Sequence, residues 1–160
     1  MIWLFGGFPK VGTLPAPTRE QLEPEGIIHV AEKVRVRQRF SGSVPGRRDG
    51  LSLNREKAVL VFTLQRLYAL LPTIPRLKGP AIDRRWDAAD TGAAQVEICE
   101  VGMSMHIALD RVDQRFRGDL SLQFDAPLTG DVLAVLPARS LSFEVPPEHV
   151  FQMLGVRVRT

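Results

Sequence analysis

Lys33, Arg35, Arg37 and Arg39 recur at every second position. In an extended chain this spacing puts all four on one face, with Val34, Val36 and Phe40 on the other. Arg47 and Arg48 follow in a turn-rich loop at 41–50. Such a face could hold the phosphates or carboxylates of an anionic partner. An anionic membrane surface attracts each nearby cation by ~1 kcal/mol. The competing reading is a solvated strand face, its charge offset by acids on neighbouring strands. Lys33, Arg35, Arg37, Arg39, Arg47 and Arg48 are the candidate anion- or lipid-binding residues.

Other reactive side chains form no constellation. His29, His106 and His149 lack metal-ligand spacing with one another or with acids, so no metal or cofactor is expected. Asp110 and Asp113 fall in a turn, where acids cap or solvate. Cys99, between Ile98 and Glu100, reads as a small core filler; the nucleophile alternative has no nearby base. There is no glycine-rich phosphate loop and no nucleophile elbow. No catalytic residue is expected, and the chain reads as non-enzymatic. Trp3, Phe5 and Trp86 are candidate interaction anchors; Trp86 could instead pin its own loop to the body.

The chain has 160 residues, 44% hydrophobic and 24% charged, with a net charge of +3. These are the proportions of a soluble globule, and +3 is too low to indicate nucleic-acid binding. Twelve prolines and thirteen glycines favour short strands and many turns. A single cysteine rules out an internal disulfide and fits a reducing compartment. No stretch approaches the ~20 apolar residues of a membrane helix. Residues 1–5 are apolar but short and lack the basic start of a signal peptide. They read as a segment packed on the domain, with a short surface anchor as the alternative. The expected location is cytoplasmic, or peripheral at the inner face of the membrane.

Residues 1–24 read as an irregular arm lying on the core, with one helical turn at 18–22 capped by Thr18. Residues 25–160 read as one domain. The first strand spans 27–40. A short edge strand at 51–53 precedes the strongest apolar run, 57–71, broken only by Gln65 and Arg66. Its β-branched and aromatic residues favour a hairpin over a helix across 58–71. Apolar residues on both parities predict that both faces of its first strand are covered. Residues 72–92 read as a long loop, with a short strand at 81–82. Strands follow at 94–101, 103–109, 118–124 and 141–145, with a strand or turn at 132–136. Pro147 and Glu148 open a helix of about two turns, its buried face Val150, Phe151 and Leu154.

About seven antiparallel strands and one short C-terminal helix make an all-β fold, a partly open β-barrel or orthogonal sandwich. The chain here resembles bacterial PH-like and GRAM-like domains of the pleckstrin-homology superfold over 25–155. The resemblance rests on Glu25-Gly26-Ile27-Ile28 and on Ala58 to Thr63 with Arg66-Leu67-Tyr68, a strand ending in Thr-x-x-Arg-Leu. It continues through residues 107–112, 118–124 and 141–145 before the helix. It implies a non-catalytic binding module acting on a protein partner or a second copy of itself. The alternative it implies is an anionic lipid or phosphate-bearing ligand on the basic face around Arg35, Arg37 and Arg39. An open barrel carrying a small apolar molecule is a further alternative.

Overall fold

The structure is a computed structural model. It describes residues 12–48, 51–71, 80–88 and 91–154, with 47, 48 and 51–56 described by backbone alone. Trp3, Phe5, the side chains of Arg47 and Arg48, and positions 72–79 and 89–90 of the expected long loop lie outside the described residues.

Helix α1 (Ala16–Leu22) and a 3-10 turn (Glu23–Glu25) lead into β1 (Ile27–Val44), β2 (Arg47–Arg48), β3 (Leu51–Thr63), β4 (Arg66–Leu70) and β5 (Ile82–Arg85). There follow β6 (Ala94–Cys99), β7 (Gly102–Ala108), a 3-10 turn (Leu109–Arg111) and β8 (Arg117–Asp125). Helix α2 (Gly130–Val135), β9 (Ser140–Phe143) and α3 (Pro147–Leu154) complete the described chain. Eight strands run in the order β5-β4-β3-β1-β8-β7-β6-β9, and β2 pairs with the end of β1. All ladders are antiparallel, and the sheet curls into a half-barrel. The all-β expectation with a C-terminal helix holds.

Strand β1 sets the architecture. Its second half pairs with β3 on one side and β8 on the other. Val34, Val36, Gln38 and Phe40 point into the core, as the alternation demands. Gln38 is the polar exception, 2% exposed. Its Nε2 donates to the Met153 carbonyl at 3.0 Å and so ties α3 to the sheet, while its Oε1 has no hydrogen-bond partner among the described residues. Where β1 crosses β8, Gly42 lies opposite Gly118, with φ of 142° and 91°. A Cβ on Gly42 would sit 2.1 Å from the Arg117 carbonyl oxygen, and one on Gly118 1.9 Å from that of Ser41. Only glycine permits so close a crossing.

The 57–71 hairpin forms as β3 and β4. Ala58, Leu60 and Phe62 enter the main core, while Val59 and Val61 pack on the other face with Leu14 and Leu22 of the N-terminal arm. Both faces are therefore covered, by different parts of the chain. The Thr-x-x-Arg-Leu turn has a plain physical basis. Thr63 Oγ1 accepts the Gln65 and Arg66 amides at 3.1 and 2.9 Å, a side-chain-stabilised turn. Arg66 then pairs with Glu25 at 2.8 Å and Asp83 at 2.9 Å, joining the start of β1 to β5.

The fold also departs from the sequence expectations. Residues 51–53 belong to the long β3 and are no separate edge strand. Helix α1 starts at Ala16, not at a Thr18 cap. Pro15 holds the cap position, and a proline in the first turn costs no hydrogen bond. Residues 132–135 fall in α2, neither strand nor turn, because Thr129 Oγ1 accepts the Val132 amide at 3.3 Å. Cys99 is exposed, not a core filler: Val96 and Ile98 take the inward parity of β6. Met153 joins Val150, Phe151 and Leu154 in the buried set of α3.

Candidate functional site

The basic face forms on the outer side of β1. Lys33, Arg35, Arg37 and Arg39 are all exposed. On β8, Asp125 lies level with Arg35, Gln123 with Arg37 and Ser121 with Arg39. Asp125 Oδ1 accepts from Arg37 Nη2 at 3.1 Å, with 58% and 37% of the two side chains in solvent. So exposed a pair contributes at most ~1 kcal/mol. Among the described residues Asp125 is the acid that pairs with the row, and Arg39 lies opposite Ser121.

The fold adds a cation that the alternation does not reveal. Lys33 and Lys57 both adopt positive φ, 53° and 75°, where the β1–β3 register shifts on either side of Val34. The arm is drawn in beside them: the Lys33 amide donates to the Gly12 carbonyl at 2.7 Å. A Cβ on Gly12 would lie 2.6 Å from Lys57 Cβ and 3.2 Å from Lys33 Cγ, so both lysine stems flank one point of the arm. Lys57 is exposed and extends the basic face onto β3. The backbone of Arg47 and Arg48 pairs with Val44 and Ser43 at the far end of β1.

Trp86 sits at the β3–β4 end. Its Nε1 donates to the Thr63 carbonyl at 2.7 Å, and its ring lies 6.3 Å from that of Phe62. This half-buried side chain pins the segment after β5 to the body.

A second feature lies between the two edge strands. Arg84 of β5 reaches across to the end of β9: Nη2 donates to the Glu144 carbonyl at 2.9 Å, and the guanidinium stands 5.0 Å from the Phe143 ring centroid. Two cavities flank this bridge. The larger, about 580 Å³, is lined by Arg84, Arg111, Thr91, Glu144 and Pro147 among others. The smaller, about 240 Å³, is lined by Arg84, Ala81, Met105, Phe143, His149 and Met153 among others. None of Lys33, Arg35, Arg37 or Arg39 lines either cavity.

The histidines lie apart. His29 stacks on Phe62 at 6.3 Å, and burial lowers its pKa below 6.5. His149 is lowered too, first by burial and then by the charge of Arg84, with Glu148 opposing. His106 Nε2 lies 2.8 Å from Asp119 Oδ1 on the exposed face. Among the described residues no group of three or more His, Cys, Asp or Glu could hold a metal ion. No described helix is long and apolar enough to cross a membrane.

The lowered pKa values of His29 and His149 fix a pH dependence. Both native imidazoles resist protonation, so the unfolded chain takes up more protons just below pH 6.5. Stability should be full above that value and decline as the pH falls through it. Asp113, held at about 2 by Arg115, acts only in a far more acidic window. Urea midpoints measured on both sides of pH 6.5 should fall on the acid side. A His29→Gln, His149→Gln double variant should flatten the slope; an unchanged slope would assign it to other groups.

No protein-family model, no curated protein and no solved structure matches this chain.

Proposed function

We propose that this protein is a PH-like, non-catalytic binding module that docks on an anionic membrane surface through the outer face of β1. The observation that carries this reading is the row of Lys33, Arg35, Arg37 and Arg39, extended by Lys57, in which one ion pair, Arg37 to Asp125, forms among the described residues. The row lies on the outer sheet face and lines neither of the two cavities at the β5–β9 seam, which suits a charged surface better than one enclosed ligand. The curled antiparallel sheet with a C-terminal helix supports the PH-like reading. A protein partner is the second reading. It has less behind it, because among the described residues the exposed large apolar side chains Leu64, Val101 and Val135 lie apart, in the β3–β4 turn, the β6–β7 turn and α2.

Co-sedimentation with neutral and anionic vesicles at low and raised salt tests the proposal. Binding should be confined to anionic vesicles, weaken with salt and disappear in an Arg35→Glu, Arg37→Glu, Arg39→Glu variant. Equal binding to neutral vesicles, or none to either, sinks the membrane reading. The protein-partner reading would then be pursued by cross-linking to acidic proteins.

A further inference from the structure

The cleft at the β5–β9 seam gathers two arginines that the sequence keeps far apart. Arg84 comes from β5 and Arg111 from the 3-10 turn after β7, and both line the 580 Å³ cavity. Volumes of about 300–1,000 Å³ are usual for small-molecule sites.

Neither guanidinium has a carboxylate partner among the described residues. Arg84 uses one of its donors on the Glu144 carbonyl, and its stacking on Phe143 fixes the orientation of the rest. Arg111 makes no hydrogen bond or ion pair among the described residues, although the neighbouring Leu109 is fully buried and anchors its turn. Asp83, on the rim of the smaller cavity, is already paired with Arg66. Among the described residues Glu144 is the one acid in the lining of the larger cavity, and its side chain is exposed. Two cations from separate elements around one concavity favour an anion there, more strongly than on an open surface, because the low-dielectric walls focus the field.

The chemistry narrows the anion. A carboxylate offers two coplanar oxygens and is satisfied by one arginine fork. A phosphate monoester carries three terminal oxygens and a charge near −2, which suits two forks arriving from different directions. The cavities share Arg84, Glu144 and Val145, so they adjoin around the arginine. Ala81, Met105, Phe143 and Met153, all buried, lie beneath the smaller one, whose rim carries Asp83, Arg84, Glu144 and His149. At 240 Å³ it exceeds the ~150 Å³ that accommodates benzene in a protein interior.

We infer that the seam cleft binds a small phosphate monoester, the phosphate between Arg84 and Arg111 and a compact apolar body against Met105, Phe143 and Met153. The ligand is distinct from the membrane surface proposed for β1.

Titration calorimetry with phenyl phosphate on the full chain tests this. Parallel arms use inorganic phosphate, benzoate and phenol. Phenyl phosphate should bind saturably at one site per chain and more tightly than any of the three. Arg111→Glu should weaken it at least about tenfold, the order expected for a lost charge-assisted contact. The same variant should keep its thermal midpoint, because Arg111 has no hydrogen-bond or ion-pair partner among the described residues. Arg84→Lys, which keeps the charge but loses the fork, should also weaken binding. The Arg35→Glu, Arg37→Glu, Arg39→Glu variant should bind phenyl phosphate as the parent does, whatever its behaviour on vesicles. Absence of saturable heat, parental affinity in Arg111→Glu, or benzoate binding as tightly as phenyl phosphate would each overturn the assignment.

Discussion

Phe116→Ala should lower the unfolding free energy by about 3–5 kcal/mol, the range for removing a buried ring and leaving its cavity. Phe116 is 0% exposed and sits just before β8. Its ring meets Phe151 of α3 edge-to-face, with centroids 5.3 Å apart and planes at 88°. The Arg115 guanidinium stands 6.0 Å from each ring centroid and is itself held by Asp113. The substitution therefore removes volume and also loosens the packing of α3 in the core. Urea titration gives the loss directly. A Phe116→Ala, Phe151→Ala cycle should show coupling of about 0.5–1.5 kcal/mol. A single-variant loss under about 0.5 kcal/mol, the scale of surface changes, would mean the ring is not part of the packed core.

The second large effect is expected at Arg66. Arg66→Ala leaves the Glu25 carboxylate, 13% exposed, without its cation and held by the Thr63 hydroxyl at 3.0 Å, and it releases Asp83. Breaking a fully buried pair costs ~3–5 kcal/mol. Because Arg66 keeps 27% of its side chain in solvent, about 2–3 kcal/mol is the expected loss here. The decisive comparison is the double variant. Glu25→Ala added to Arg66→Ala removes the stranded charge and should restore part of the stability. If the double variant is no more stable than Arg66→Ala alone, the Glu25–Arg66 pair is not the source of the loss.

Much of this architecture could be read from the residues. The alternation in β1, β6, β7 and β8 is a period-two signal with one apolar face, and the ladder follows it. The two-sided apolar character of 59–63 correctly required cover on both faces, although it could not say that Leu14 and Leu22 supply one of them. Elements whose signal is polar or brief were harder to read. β5 extends into Asp83, Arg84 and Arg85, and these have no amphipathic pattern because an edge strand needs none. Six-residue α2 is too short for a helical period, and its cap, Thr129, was the readable sign.

The sites divide along the same line. The row on β1 was legible because four of its cations lie on one strand. Lys57 was not, because it joins them only through the register of β3 against β1. The seam cleft was invisible: Arg84, Arg111, Glu144 and His149 come from β5, a 3-10 turn, the β9–α3 connection and α3, and no spacing connects them. The Thr63-x-x-Arg66 pattern is visible in the sequence as a motif. Its physical content, a hydroxyl closing a turn and an arginine joining two segments, emerged only with the geometry.

The single long strand at the centre of the sheet has a kinetic consequence. β3, β4 and β5 succeed one another in sequence, as do β6, β7 and β8, so each set can assemble by closing short loops. Only β1 joins the two sets, and its pairing with β8 reaches as far as Arg35 to Asp125, 90 residues apart. The entropy of closing so long a loop is lost before any of those contacts can form. Until that closure both half-sheets present an open edge, so the interval before β1 bridges them is when the chain is most prone to pair with another copy of itself.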